Sequence, residues 1–187
     1  MFANKALQVQ RSDDLLAFLP KTNRDVATFY DINRRFGGLD IAIVGIMVDD
    51  PFDAAFLVKL RRLTQSLNDE PLVGYALSLA NVEDFSVDSE KGGIRAGRLI
   101  ERSPKDAAAK SKLRDLVMSK DHIVGNLISR DARSVIIYNF GAFGTNPRAL
   151  AELAKSKTQA VFGHHTLYWG GAPFIATYIY DITQADM

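Results

Sequence analysis

The sequence has no cysteine, one tryptophan and three histidines in 187 residues. Without thiols there is no disulfide framework, no thiolate metal site and no cysteine nucleophile. Neither sign of charge is in excess, since 23 basic side chains stand against 22 acidic ones. Nucleic-acid-binding domains are usually strongly basic, so nucleic acid is not an expected partner. Long hydrophobic runs are also lacking. The longest, Ile41 to Val48, falls far short of the roughly 20 residues a bilayer-crossing helix needs. The opening MFANKALQVQRSDD does not follow the basic-then-apolar pattern of a secretory signal. What is present is the composition of a folded domain, 47% hydrophobic and 10% aromatic. The length suits one domain, with a core large enough to need no covalent staples.

Three helix starts are written in similar chemistry. Asp50-Pro51-Phe52-Asp53, Ser103-Pro104-Lys105-Asp106 and Asn146-Pro147 each place a capping side chain before a proline. The expectation is a cap at Asp50, Ser103 and Asn146 with proline at the first helical position, where its missing N–H costs nothing. After Asp50, Phe52, Phe56, Leu60, Leu63 and Leu67 recur at helical spacing and predict one buried stripe, with Lys59, Arg61, Arg62 and Gln65 outside it. The helix after Ser103 is expected to turn Ala109, Leu113, Leu116 and Val117 inward. The one after Asn146 reads as short, with Leu150, Leu153 and Ala154 inside. A further helix, from about Arg24 to Phe36, carries Val26, Phe29 and Tyr30 on one side and stops at Gly37-Gly38.

Strands are expected at Leu39–Val48, Leu72–Ala80 and His164–Trp169. Ile123–Ile128 and Arg133–Phe140 read as a hairpin about Ser129-Arg130-Asp131-Ala132. Setting aside residues 81–121 leaves β-α-β-β-α-β, the split ferredoxin-like arrangement. The fold class is therefore α+β, helices over an antiparallel sheet, with an insertion between the second and third core strands. Residues 1–187 form a single domain: core at about 39–80 and 122–170, insertion at about 81–121, and a C-terminal amphipathic helix at 173–187. Charge is lopsided across the insertion. Residues 49–90 hold nine acidic side chains against three basic, and residues 91–120 hold nine basic against three acidic. Two solvated faces that partly neutralise each other in the fold account for this, with a polar docking surface as the sharper reading.

Chemistry is sparse. Adjacent residues on a strand point to opposite faces, so His164 and His165 are expected to be one packed and one exposed, and not to share a metal. There is no Gly-x-Ser-x-Gly elbow and no Walker A sequence. Gly141-Ala142-Phe143-Gly144 reads as a strand-to-helix turn, and Gly92, Gly93 and Gly97 as loop. Asp13-Asp14 and Asp49-Asp50 read as caps or exposed termini. No catalytic, cofactor-binding or metal-ligating residue is assigned, no cofactor is expected, and the substrate-binding residues are not identified by sequence. An enzyme would have to assemble its site from dispersed residues such as His122, His165 and Asp131, which makes it the lowest-ranked class.

The stretch PFIATYIYDITQADM places Phe174, Ile175, Tyr178, Ile179 and Ile182 at helical spacing. Such a helix can lie at a membrane interface or lead into a spanning segment; docking on the domain's own core is the alternative. Both ends read as cut from a longer chain. The segment LLAFLPKTNRDVATFYDINRRFGGLDIAIVGI resembles the one that follows the first transmembrane helix in exporters of the resistance-nodulation-cell division (RND) superfamily. The nearest branch is the hydrophobe-exporter type that includes the mycobacterial large membrane proteins (MMPL). Phe18-Leu19-Pro20, Phe36-Gly37-Gly38, Asp50-Pro51-Phe52, Ser78-Leu79-Ala80-Asn81-Val82, Gly125-Asn126-Leu127-Ile128-Ser129 and Gly170-Gly171-Ala172-Pro173 run in family order. The resemblance implies a soluble periplasmic porter domain, the first large extracytoplasmic loop of a proton-driven efflux transporter at the bacterial inner membrane. Such a domain lines the route for hydrophobic or amphiphilic, lipid-like cargo. Its implied partners are the transmembrane helices and second porter domain of the same membrane protein, with room for a periplasmic accessory protein. The proton-relay residues would lie outside this chain. A stand-alone ferredoxin-like module that binds or senses small molecules is the alternative.

Overall fold

The structure, a computed structural model, describes residue 20 and residues 23–36, 40–88 and 93–185. In chain order the elements are α1 (Arg24–Phe36), β1 (Ile41–Met47), α2 (Ala54–Asn68), β2 (Val73–Leu77), β3 (Glu83–Asp88) and β4 (Gly93–Arg98). There follow α3 (Ala107–Met118), β5 (Ser134–Gly141), α4 (Pro147–Phe162), β6 (Leu167–Gly170) and α5 (Ala172–Ala185). Four strands form one sheet in the order β2-β5-β1-β6, and β3 and β4 form a separate two-stranded ribbon. Every neighbouring pair is antiparallel. The chain is thus an α+β domain with an antiparallel sheet.

Alternation along the two central strands sets the layers. Ala42, Val44 and Ile46 of β1 and Val135, Ile137 and Asn139 of β5 are fully buried, whereas the residues between them are only half-covered. Successive strand side chains point to opposite faces, so one buried face per strand means one packed face of the sheet. Helices α2 and α4 pack on the sheet and on each other. They contribute Phe56, Leu57, Leu60, Leu63, Leu67, Leu150, Ala154 and Phe162 to the same core cluster. The opposite face carries Ile43 beside Tyr138 and Ile41 beside Phe140, with Tyr75 stacked on Phe140 at 6.4 Å between ring centroids.

The stripe expected on α2 is buried at every position, but the helix starts later than the proline suggested. Its cap is Asp53, whose Oδ2 accepts from the Phe56 N–H at 2.9 Å; Asp50 instead accepts from the Phe52 N–H at 3.0 Å and closes the preceding turn. Phe52 stands just before the cap and Leu57 four residues after it, both 1% exposed, the positions of a hydrophobic staple. The same correction applies to α3, capped by Asp106 and not Ser103, so neither Pro51 nor Pro104 is helical. Leu116 is 43% exposed, leaving Val117 as the buried residue of that helix. At α4 the cap is Asn146 with Pro147 at the first position, as expected, but the helix is 16 residues long rather than short.

Two strand expectations fail. Ile123–Ile128 is a knot of turns, in which the Ile123 carbonyl accepts from three successive amides and Gly125 sits at φ +86. Ile123, Leu127 and Ile128 are buried because the loop tucks into the core, and only Ile128 bridges to Val135, so no regular hairpin forms with β5. His164 and His165 precede β6 and do not belong to it. Within the insertion, Gly93 and Gly97 lie on β4 and not in a loop. The opposed charges meet as proposed for a partly neutralising fold: Lys110 pairs with Asp50 at 2.8 Å and Lys120 with Asp84 at 2.7 Å. Asp13, Asp14, Phe18, Leu19, Gly37, Gly38, Gly92 and the side chains of Phe29 and Tyr30 lie outside what the structure describes.

Candidate functional site

β2 is an edge strand, and exposed edges invite pairing with other chains. Here its edge is filled by side chains. Asn68, the last residue of α2, accepts from the Ala76 N–H at 2.9 Å and donates to the Ala76 carbonyl at 3.1 Å, as a neighbouring strand would. Asn81 donates to the same carbonyl at 2.8 Å and accepts from the Ser78 N–H at 2.8 Å. Beneath them the buried hydroxyls of Thr64 and Ser78 are 2.8 Å apart. The segment Ser78-Leu79-Ala80-Asn81-Val82 is therefore a turn locked by its own polar side chains.

Above that turn lies a cleft of about 270 Å³, lined by α2, the end of β2 and the base of the β3–β4 ribbon. Arg61, Gln65, Tyr75, Glu83 and Arg98 face it alongside the two asparagines. Arg61 is tethered through Nη2 to the Ile100 carbonyl at 3.0 Å, while its buried Nε has no partner among the described residues. Glu83 and Arg98 are cross-strand neighbours, yet no ion pair joins them and neither side chain has another polar partner among the described residues.

A second, more open cleft of about 460 Å³ is lined by Met47, Asp49, Asp131, Arg133, His164, His165 and Thr166. The histidine rings lie side by side, 4.3 Å between centroids, rather than on opposite faces, because they sit in a turn ahead of the strand. His165 is half-buried, donates from Nδ1 to the Met47 carbonyl at 2.9 Å and packs edge-on against Phe162; His164 is exposed. The structure thus brings His165 and Asp131 to one cleft. Asp131 accepts from the Ser129 hydroxyl and the Arg133 N–H, which together hold its carboxyl below the ordinary aspartate value. Both bonds lie within its own turn, so the carboxylate is tied to the Ser129–Arg133 loop. His122 is elsewhere, exposed and 3.8 Å from Asp84. Among the described residues no three histidine, aspartate or glutamate side chains are grouped to hold a metal ion.

A third surface is the outward face of α5. Ile175, Tyr178, Ile179 and Ile182 are 46–67% exposed, while Phe174 packs on Trp169 and the core. The helix is held from its other side by Arg148 of α4, which lies over the Tyr180 ring at 4.2 Å and reaches Asp181 at 3.6 Å. Its hydrogen bond to Glu152 raises the Arg148 pKa further, so that charge is permanent. Among the described residues no helix is long and apolar enough to cross a membrane.

The sequence places Arg61 outside the core stripe and marks no role for Asn68, so neither residue points to the cleft. Their roles depend on β2 and the ribbon folding back beside α2, and Arg98 in particular had no local signal. No family model matches this chain, and no curated protein matches its sequence.

Proposed function

We propose that this chain is a porter-type periplasmic domain of an RND-superfamily exporter of the hydrophobe-exporting type, with a ferredoxin-like core. The sheet order β2-β5-β1-β6 supports the core reading, because two β-α-β units interleaved in one antiparallel sheet give this order. The observation that carries the membrane half of the proposal is α5. Phe174 packs on the core, but Ile175, Tyr178, Ile179 and Ile182 stand outward in a row, on a helix whose only charged side chain among those described, Asp181, is turned toward Arg148. A row of isoleucine and tyrosine suits the boundary between a soluble domain and a bilayer, where tyrosine concentrates. In this reading α5 leads toward the membrane, and the cargo is hydrophobic or amphiphilic.

The test is the uncut reading frame. Apolar stretches of about 20 residues shortly before Phe2 and shortly after Met187 are the expected result. A frame with neither stretch overturns the exporter reading and leaves the stand-alone binding module.

A further inference from the structure

We propose that the cleft between α2 and the base of the β3–β4 ribbon is a binding site for a small carboxylate whose α-carbon carries a hydrogen-bond donor, an α-amino or α-hydroxy acid. This assignment does not depend on the exporter reading. Most polar groups around the cleft are already committed. Asn68 and Asn81 are consumed by the edge of β2, Thr64 by Ser78, and the Gln65 amide donates to Asp69 at 2.8 Å. What is left unspent is specific: the remaining N–H groups of Arg61, the whole guanidinium of Arg98, the Tyr75 hydroxyl proton, the Glu83 carboxylate and the Gln65 carbonyl.

Two of these groups are permanently cationic donors and one is anionic, so the cleft carries one net positive charge. Guanidinium groups match carboxylates through paired, charge-assisted hydrogen bonds. Arg61 is pre-oriented for this by its bond to Ile100, so little ordering is required on binding. Glu83 then accepts from the amine or hydroxyl beside the carboxylate. The open cross-strand pair is the second pointer to a ligand: Glu83 and Arg98 are directly opposite in the ribbon, where an ion pair would be favourable, and remain apart on the rim of the cleft. A volume of about 270 Å³ lies just below the range of drug-sized pockets and accommodates a small amino or hydroxy acid. Such a ligand would bridge α2 and the ribbon.

The experiment is an amide NMR titration of the whole chain with L-alanine, L-lactate, propionate and inorganic phosphate. The expected result is saturable shifts at residues 61–68, 75–83 and 98–100, with L-alanine and L-lactate binding more tightly than propionate. Arg98→Ala is expected to weaken L-alanine at least tenfold while the rest of the spectrum is unchanged, since that side chain is exposed and has no polar partner among the described residues. Glu83→Gln is expected to reduce the preference for L-alanine over propionate. No saturation into the tens of millimolar overturns the proposal. So do phosphate binding tighter than every carboxylate, propionate matching both α-substituted acids, and shifts that persist unaltered in Arg98→Ala.

Discussion

Gly171 stands at the joint between β6 and α5 with φ +87, and a Cβ there would lie 2.0 Å from the Ile41 carbonyl oxygen. Gly144 also has positive φ, +76, but nothing lies within 4 Å of its would-be Cβ. Alanine at 144 therefore meets only the left-handed backbone penalty of about 1–2 kcal/mol. Alanine at 171 adds a collision with backbone that no rotamer relieves, and is expected to cost about 3 kcal/mol or more. Urea unfolding of the two variants checks this, and equal losses would mean that the start of α5 can shift freely. Gly170 and Gly171 are adjacent in the sequence, but which glycine is indispensable depends on a strand more than a hundred residues away. Charge gives a second prediction at this scale. A hydrogen bond from Lys120, opposed by partial burial and aided by the Phe85 N–H, lowers the Asp84 pKa. Because the folded value lies below the unfolded one of about 3.9, this group's stabilisation is complete above that pH and is lost as pH falls through the folded value. Asp84→Asn is expected to flatten part of the acid limb of the melting temperature against pH. The flattening is partial, since Asp50 and Asp131 are depressed too. An unchanged limb would show that the Lys120 contact does not persist in solution.

Among the elements, α2 was legible because five apolar residues at helical spacing have no competing explanation. Its boundary was not, because Asp50 and Asp53 are equally good caps three residues apart. The staple residue Phe52 decides for Asp53, and that follows from packing rather than from propensity. Ile123–Ile128 failed for a related reason: a short apolar run records burial, and a buried turn reads like a buried strand. The protection of the β2 edge was beyond reach, since it needs Asn68 and Ala76 to face each other across the turn between α2 and β2. It carries a testable consequence. Asn68→Ala removes both bonds to Ala76 and is expected to destabilise the fold by about 1–3 kcal/mol. It also exposes an edge able to pair with other chains, so light scattering on mild heating should rise earlier than in the parent. A loss of stability without earlier scattering would mean that Asn81 alone keeps the edge closed.

For the whole molecule, the order of helices and strands was readable, and an antiparallel sheet with an inserted segment followed from it. What the sequence could not say is how loosely the insertion is attached. β3 and β4 contact each other far more than any other element. Among the described residues the ribbon reaches the core at its roots, through Val82, Leu99 and Ile100, while Val117 of α3 is buried there with Leu113 and Met118 packed beside it. Phe85, one turn of the ladder further out, is already 69% exposed. Local opening free energy follows buried apolar contact, so the ribbon is expected to exchange its amide hydrogens well before the central pair β1 and β5. Asp84 faces Gly97 across the ribbon, so residues 85–96 can be replaced by Asn-Gly, a turn suited to a two-residue hairpin. Shortening the loop also lowers its closure entropy. The shortened chain should therefore unfold in one cooperative step, with a melting temperature within about 4 °C of the parent, equivalent to roughly 1 kcal/mol or slightly more. Calorimetry reads both quantities. Loss of the transition would mean that the ribbon tip is part of the folding unit, and that the four-stranded sheet with α2 and α4 does not stand without it.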